Sequence, residues 1–316
     1  MFHFDTHVIE SLFSYKEFIP VLRDYFTKDI KSPPRPHFSI ENNSSAPNTL
    51  LLMPAWQIDT YIGIKIITVF KENAKIGLNT INGTYFLLDG KTGQALSTFD
   101  ASTITSKRTA ATSALAASFL ARPESRSYTV LGTGQLCREL VHAYNSIFEL
   151  EQINIWGRDS VKATAKVEEL NLAGFHAKVV EDKINTLSDS DIISAATYSK
   201  TPIVHGKYIN SGTHIDLIGS YLPDHREGDD ELVIKSSLFI DTKTALKESG
   251  DLVIPIKDGL IKASDIQGTL IELCKEEDPG RLDKNEITFF KSVGYALEDL
   301  AIAIYLYQKH QHGNIS

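Results

Sequence analysis

Ser127 to Leu140 reads SYTVLGTGQLCREL, an apolar run that ends in a glycine turn and opens a helix. α/β proteins hold a dinucleotide pyrophosphate in this way. Gly132 permits the tight turn and Gly134 lets the main chain approach phosphate closely, with Thr133 between them. The helix that starts near Gln135 and Leu136 aims its first N–H groups and the positive end of its dipole at the anion. Cys137 replaces the third glycine of the fingerprint and is small enough for a helix to pack on a strand. A strand, glycine turn and helix also occur in ordinary α/β packing, so the stretch is read together with its surroundings.

Downstream, apolar strand candidates alternate with helices: 127–132, helix 135–148, 152–156, helix 160–172, 176–180, 190–196, 214–219 and 237–241. This rhythm predicts an α/β fold with a doubly wound parallel sheet of the Rossmann type. Upstream the pattern differs. Residues 6–30 carry apolar side chains at helical spacing until SPPRP (Ser32–Pro36) stops the helix. From Thr49 to Thr98 the chain reads as strands of an antiparallel sheet, with a hairpin signal in DGKTG (Asp89–Gly93). Asp100–Ala121 is a helix crowded with Ala, Ser and Thr, broken by Arg122-Pro123. The boundary between an α+β domain, 1–121, and a dinucleotide-binding domain, 122–287, is placed there. Phe289–Gln308 reads as a long amphipathic helix, and residues 288–316 are expected to return and complete the first domain.

The 316 residues, 42% of them hydrophobic and 23% charged, can bury a sizeable core. A formal net charge of −8 argues against nucleic acid or an anionic membrane as partner. Small molecules remain. Cys137 and Cys274 are the two cysteines, far apart and without a companion at metal spacing, so neither a disulfide framework nor a metal site is expected. The N-terminus has acids and histidines where a signal peptide needs a basic segment and an apolar core, which points to the cytoplasm. The histidines do not cluster, and no GxSxG elbow is present to suggest a serine hydrolase.

Cations stand in unusual places. The second strand of the nucleotide unit ends in WGRDS, where an NAD enzyme usually sets an acid for the ribose 2′-hydroxyl. Gly157 holds that place. Arg158 can pair with a 2′-phosphate through its guanidinium fork, which favours NADPH with NADH as the alternative; a loop one residue longer would instead bring Asp159 to the ribose. Arg108 lies among small residues in ITSKRTAATSALAA, either an anion holder or an exposed helix arginine like Lys107 beside it. Alternation in YIGIKIITVF sets Lys65 on one face with Gly63 and Ile67, as a snorkelling edge lysine or a substrate-site cation. Arg35, among prolines, is a third cation, on a stiff loop or simply in solvent.

Several stretches together resemble the ornithine cyclodeaminase and mu-crystallin family: LLMPAW (51–56), GIKI (63–66), SKRTAATSALAA (106–117), VLGTG (130–134), PDHREGDDEL (223–232), ALKESGD (245–251) and FKSVGYALEDLA (290–301). The resemblance implies a homodimer whose first domain binds substrate and dimerises while a Rossmann domain binds a nicotinamide cofactor. It also implies that Arg35, Lys65 and Arg108 surround the carboxylate of an amino or imino acid, with Lys65 and Arg108 serving catalysis. Thr109, Ala196, Thr197 and Ser292 would line the cofactor.

The departures from the family pattern choose among its activities. Cyclodeaminases carry an acid just before the LMP segment and an aspartate in a GxDxPG loop; this chain has Leu51 and Gly219-Ser220-Tyr221, with Asp224 nearby. The expected activity is therefore NAD(P)H-dependent reduction of a cyclic ketimine carboxylate, Δ1-pyrroline-2-carboxylate or Δ1-piperideine-2-carboxylate. An ornithine cyclodeaminase, an L-alanine dehydrogenase and a non-catalytic binding protein stand as alternatives.

Overall fold

The computed structural model describes residues 1–42 and 47–313, and the chain divides into two compact units. Unit 1 takes Met1–Thr109 and the chain from Tyr295 onward, and unit 2 takes Ala110–Gly294. Among the described residues no helix is long and apolar enough to cross a membrane.

Unit 1 runs β1 (Phe2–Phe4), α1 (Thr6–Leu12), α2 (Tyr15–Thr27), β2 (Ile30–Lys31), β3 (His37–Ile40), β4 (Asn48–Gln57), β5 (Tyr61–Val69), β6 (Ile81–Asp89) and β7 (Ala95–Asp100). The sheet order is β1-β7-β6-β5-β4-β2 with β3 also on β4. All pairings are antiparallel except β1 with β7. The hairpin between β6 and β7 forms as its residues require: Asp89 Oδ1 accepts from the N–H groups of Lys91 and Thr92, and Gly93 adopts φ +71°. The helical run expected over 6–30 is two helices. Asp5 caps the first by accepting from Val8 N, and the chain turns extended at Phe13 and Ser14 before α2 begins. The apolar spacing continues through this break, so periodicity alone does not reveal it.

Strand alternation sorts the sheet into two faces. Met53, Ala55, Lys65, Tyr85 and Leu87 are buried on one face, which the C-terminal helix, Ala296–Gly313, covers. On the other, the register aligns Leu52, Ile66 and Thr84, then Pro54, Ile64 and Phe86, then Trp56, Ile62 and Leu88. These nine side chains are half-buried. Residues 288–291, expected in the C-terminal helix, form a strand of unit 2 instead, and the helix starts at Ala296. A short, fully buried stretch such as TFFK gives no period by which to tell strand from helix. Positions 314–316 of the expected segment lie outside the described residues.

Unit 2 follows α3 (Ala101–Leu120), to which both units contribute residues. It runs β8 (Ser127–Leu131), α4 (Gln135–Asn145), β9 (Gln152–Trp156), α5 (Ser160–Leu172), β10 (Ala177–Val179), α6 (Lys183–Ser188), β11 (Ile192–Ala195), β12 (His214–Leu217) and α7 (Asp230–Lys235). There follow β13 (Ser237–Ile240), α8 (Ala245–Glu248), α9 (Gly250–Lys257), β14 (Ile266–Thr269), α10 (Leu270–Cys274) and β15 (Thr288–Lys291). All eight strands are parallel in the order β10-β9-β8-β11-β12-β15-β13-β14. The direction of winding reverses between β8 and β11, the switch point where doubly wound sheets open a ligand crevice beyond their strand ends. The α/β Rossmann reading of the sequence is the observed one.

One charge lies in the middle of this sheet. Asp216 on β12 is fully buried and accepts from Tyr144 Oη and Ser194 Oγ, each at 3.0 Å. Burial pushes its carboxyl up from 3.8 to about 6 against the help of those donors. The folded state therefore holds this proton more tightly than the unfolded chain. Stability contributed by Asp216 is full at low pH and is lost as pH rises toward 6. Relative to the wild type, Asp216→Asn is expected to gain about 2 kcal/mol between pH 4 and pH 7 in urea unfolding. A stability difference independent of pH would contradict this.

Candidate active site

Unit 2 opens a cleft of about 220 Å³ at the switch point, lined by Gly132, Thr133, Trp156, Gly157, Arg158, Asp159, Lys162, Ala196, Thr197, Tyr198, Ser199 and Ile203. Gly132 adopts φ +127°, and a Cβ there would stand 2.6 Å from the carbonyl oxygen of Ala196. Only glycine fits. Gly134 is different: its φ is an ordinary −73°, and a Cβ on it would meet nothing within 4 Å. Neither strain nor packing calls for glycine at that position, and its missing side chain leaves the helix start open to close approach. Gly134 is the N-cap of α4 and brings no side-chain cap, so Gln135 and Leu136 begin a helix whose N-terminal dipole end suits a pyrophosphate. Cys137 is buried, with its thiol pushed up to about 12 by that burial, and acts as a packing residue.

At the end of β9 the two readings of WGRDS separate. Asp159 is the N-cap of α5, its Oδ1 accepting from Val161 N at 3.0 Å and Lys162 N at 3.2 Å. Arg158 lines the cleft, and so does Lys162 from the first turn of α5. Lys162 is a residue that the sequence reading missed. Its signal was the helix start itself, since a cap at Asp159 turns the first helical turn toward the strand end. The pyrophosphate-binding turn, the small residues and these two cations together fit a nicotinamide nucleotide.

Of the other residues read as cofactor-lining, Ser292 is buried just past β15 and its hydroxyl donates to Asp241 Oδ2 at 3.2 Å. Thr109 is buried in α3 beside Arg108.

Unit 1 carries the cationic cluster. Lys65 belongs to β5, an interior strand between β4 and β6, and is 2% exposed. It is not a snorkelling edge lysine. Its Nζ meets both carboxylate oxygens of Asp299, at 2.9 and 2.7 Å, and donates to Thr105 Oγ1 at 3.3 Å. Arg108, equally enclosed, donates from Nε to Asp299 Oδ1 at 3.0 Å and from Nη1 to Glu298 Oε2 at 2.5 Å. Glu298 and Asp299 are fully buried on the C-terminal helix. The structure thus brings Lys65 and Arg108 together on one carboxylate.

Neighbouring residues are shaped to this cluster. A Cβ on Gly63 would lie 1.8 Å from Tyr85 Oη and 2.9 Å from Leu300, so the glycine before Lys65 exists to let Tyr85 lie across the strand. Burial pulls the Lys65 ammonium down to about 8, against Asp299, which raises it, and with Arg108, which lowers it further. Burial also works against the charge of Arg108, but Asp299 and Glu298 outweigh it and raise its pKa. Arg35 is half-buried on the loop before β3, where its charge adds to burial in lowering His37. Lys107, read as an exposed neighbour, is instead buried, pairing with Glu10 at 3.1 Å and lying over the Phe13 ring. Asp224 is an exposed acid that bonds the His225 ring at 2.8 Å. Among the described residues no group of three or more His, Cys, Asp or Glu side chains is placed to hold a metal ion.

The model of the ornithine cyclodeaminase/mu-crystallin family matches residues 4–314. A Δ1-pyrroline-2-carboxylate reductase from Colwellia psychrerythraea is 33% identical over 295 residues, covering 92% of this chain and 93% of its own. Among solved structures, Thermococcus litoralis Δ1-pyrroline-2-carboxylate reductase in complex with NADH and L-proline superposes with a TM-score of 0.91 at 33% identity, covering 99% of this chain and 98% of its own. An archaeal alanine dehydrogenase dimer with bound NAD gives 0.90 at 27% identity, with 99% and 97% covered.

Because Asp299 serves two buried cations, removing it takes the counter-charge from Lys65 and leaves Arg108 with Glu298, whereas removing Lys65 leaves Asp299 with Arg108. Breaking one buried pair costs about 3–5 kcal/mol. Asp299→Asn is expected to lose at least that much in urea unfolding and Lys65→Met clearly less. The reverse order would show that Asp299 is not the shared counter-charge.

Proposed function

The chain belongs to the ornithine cyclodeaminase/mu-crystallin family, and from that footing we propose that it reduces cyclic ketimine carboxylates with a nicotinamide cofactor. Δ1-pyrroline-2-carboxylate would become L-proline and Δ1-piperideine-2-carboxylate would become L-pipecolate. The observation that carries this reading is the buried convergence of Lys65 and Arg108 on Asp299. Two cations and two carboxylates leave the cluster formally neutral, so it suits a ligand that is itself a zwitterion. A protonated cyclic imine bearing a carboxylate is such a ligand. Its carboxylate would take the place beside Arg108 and Lys65, with Arg35 as a third cation from its loop, and its ring N–H⁺ would be drawn toward the acids of the C-terminal helix.

The reduced cofactor supplies a hydride to C2 of the ring. The protein's part is to hold the carboxylate so that C2 is presented in one orientation, which contributes much of the rate. Charge-assisted bonds from a guanidinium to a carboxylate are each worth roughly 1.5–3 kcal/mol, and the two-pronged fork of Arg108 fixes direction as well as affinity. Lys65, with its ammonium lowered to about 8, is suited to keep or return the proton at the ring nitrogen near neutral pH. Asp299 orients it.

NADPH is the proposed reductant. Asp159 Oδ1 is engaged in capping α5, which supports Arg158 and Lys162, two cations, as the pair that meets a 2′-phosphate. NADH binding would use the same cleft without that contribution. Thr109, Gly157, Ala196, Thr197 and Ser292 are proposed to flank the nucleotide.

The working form is proposed to be a homodimer through unit 1. The face of Leu52, Pro54, Trp56, Ile62, Ile64, Ile66, Phe86 and Leu88 sets apolar side chains in register across three adjacent strands and leaves them half-buried. An apolar sheet face of this kind is what a two-fold partner covers.

Three results test these readings. Purified protein is expected to oxidise NADPH when either cyclic imine is added, with pyruvate and ammonia giving none; absence of imine-dependent oxidation in protein that binds NADPH would overturn the assignment. Arg158→Ala with Lys162→Ala is expected to cut the NADPH-over-NADH preference about tenfold or more, and an unchanged ratio would remove these cations from the 2′-phosphate. Ile64→Asp is expected to convert a species of twice 35.1 kDa into a folded monomer in sedimentation equilibrium; a wild type that sediments as a monomer would contradict the dimer.

A further inference from the structure

One residue from each of the stretches PDHREGDDEL, ALKESGD and FKSVGYALEDLA meets the others in the interior of unit 2. Glu227, Asp251 and Lys291 are all fully buried. Glu227 Oε1 accepts from Thr197 N at 2.6 Å and from Thr197 Oγ1 at 2.8 Å. Its Oε2 accepts from Gly219 N at 2.8 Å and from Ser220 N at 3.3 Å. One carboxylate therefore gathers the donors of two turns, those that follow the neighbouring strands β11 and β12.

These turns are packed main chain against main chain. A Cβ on Gly219 would lie 1.9 Å from the carbonyl oxygen of Thr197 and 2.2 Å from its nitrogen. The Ala196 carbonyl oxygen, on the same peptide as the Thr197 N–H, faces the place where a Cβ on Gly132 would be. Since a trans peptide points its N–H and C=O in opposite directions, holding Thr197 N on Glu227 also holds the Ala196 carbonyl against the glycine turn.

Glu227 is itself held. Asp251 Oδ1 accepts from Glu227 N at 2.7 Å and Gly228 N at 2.9 Å, and its Oδ2 pairs with Lys291 Nζ at 3.2 Å. The Lys291 charge favours ionised Glu227 while burial and Asp251 oppose it. Two carboxylates and one ammonium buried together are an expensive way to join two turns if packing were the only need. A neutral amide could accept from one turn but would set its own N–H groups against the donors of the other.

We infer that Glu227 is a positioning residue for the cofactor, fixing Ala196 and Thr197 in the wall of the cleft, with Gly219 packed against Thr197, through bonds it makes without touching the nucleotide. The inference rests on the nicotinamide reading of that cleft. It assigns Asp251 and Lys291 to the support of Glu227.

The test titrates NADPH fluorescence with wild type, Glu227→Gln, Thr197→Val and the double variant, and measures KM for the imine in each. Glu227→Gln is expected to weaken NADPH binding about tenfold or more, and Thr197→Val, which loses one of the four bonds, about threefold. The double variant should be no weaker than Glu227→Gln, because both changes act on the same clamp. KM for the imine should stay within about twofold throughout, a split that general loosening of the fold would not produce. NADPH affinity within twofold of wild type in Glu227→Gln, or strictly additive losses in the double variant, would overturn the inference. Should Glu227→Gln not fold, an unchanged affinity in Thr197→Val overturns it alone. A wild type that binds no nicotinamide nucleotide would overturn the reading of the cleft instead, an outcome distinct from these.

Discussion

The carboxylate of Asp299 is the constraint on which unit 1 depends. It draws together Lys65 from an interior strand, Arg108 from the helix after the sheet, and the C-terminal helix that carries Asp299 itself, residues separated by as many as 234 positions in sequence. Each cation would be costly to bury alone, and the acid would be costly without them. Their association therefore fixes which face of the sheet the helix covers and where along the strand it sits. Tyr85 and Gly63 follow from this: the glycine gives the ring room to close over the strand beside the pair. On the proposed reading the same cluster would favour a zwitterion, which can exchange partners with its cations and its acids alike.

Unit 2 is governed by main-chain closeness. Gly132, Ala196–Thr197 and Gly219 come together at the ends of three adjacent parallel strands, at distances that admit no side chain on either glycine. A cleft made of main chain is suited to a nucleotide, whose pyrophosphate wants N–H groups rather than bulky side chains. The buried carboxylate of Glu227 binds two of these turns from below. Each unit thus holds a buried acid on which groups from distant sequence converge.

Much of this was legible in the sequence. The strand rhythm of unit 2 came from apolar runs spaced by helices, and the period-2 pattern set Lys65 on the same face as Gly63 without saying what covers that face. What the residues alone left open was partnership. Lys65, Arg108 and Asp159 each had two readings because a side chain's role depends on what meets it from distant sequence, and no local pattern states that Glu298 and Asp299 lie under Arg108. The signal for those acids was their setting, a Glu-Asp pair between apolar residues in YALEDLAIAI, which a solvated helix face would not require. Lys291 was read into a helix because TFFK is too short to show a period, and its place in the sheet is what brings it to Asp251. Lys162 escaped notice because its direction depends on the cap at Asp159, a feature of the folded helix start.

The central claim is that the cationic cluster and the nucleotide cleft serve hydride transfer to C2 of a cyclic imino acid. Its most direct measurement is the fate of a deuterium label placed on the transferable position of NADPH, followed by NMR of the amino acid formed from Δ1-pyrroline-2-carboxylate. The account predicts L-proline labelled at C2, one label for each NADPH consumed. Proline without label at C2, or label lost to solvent while NADPH is consumed, would contradict it.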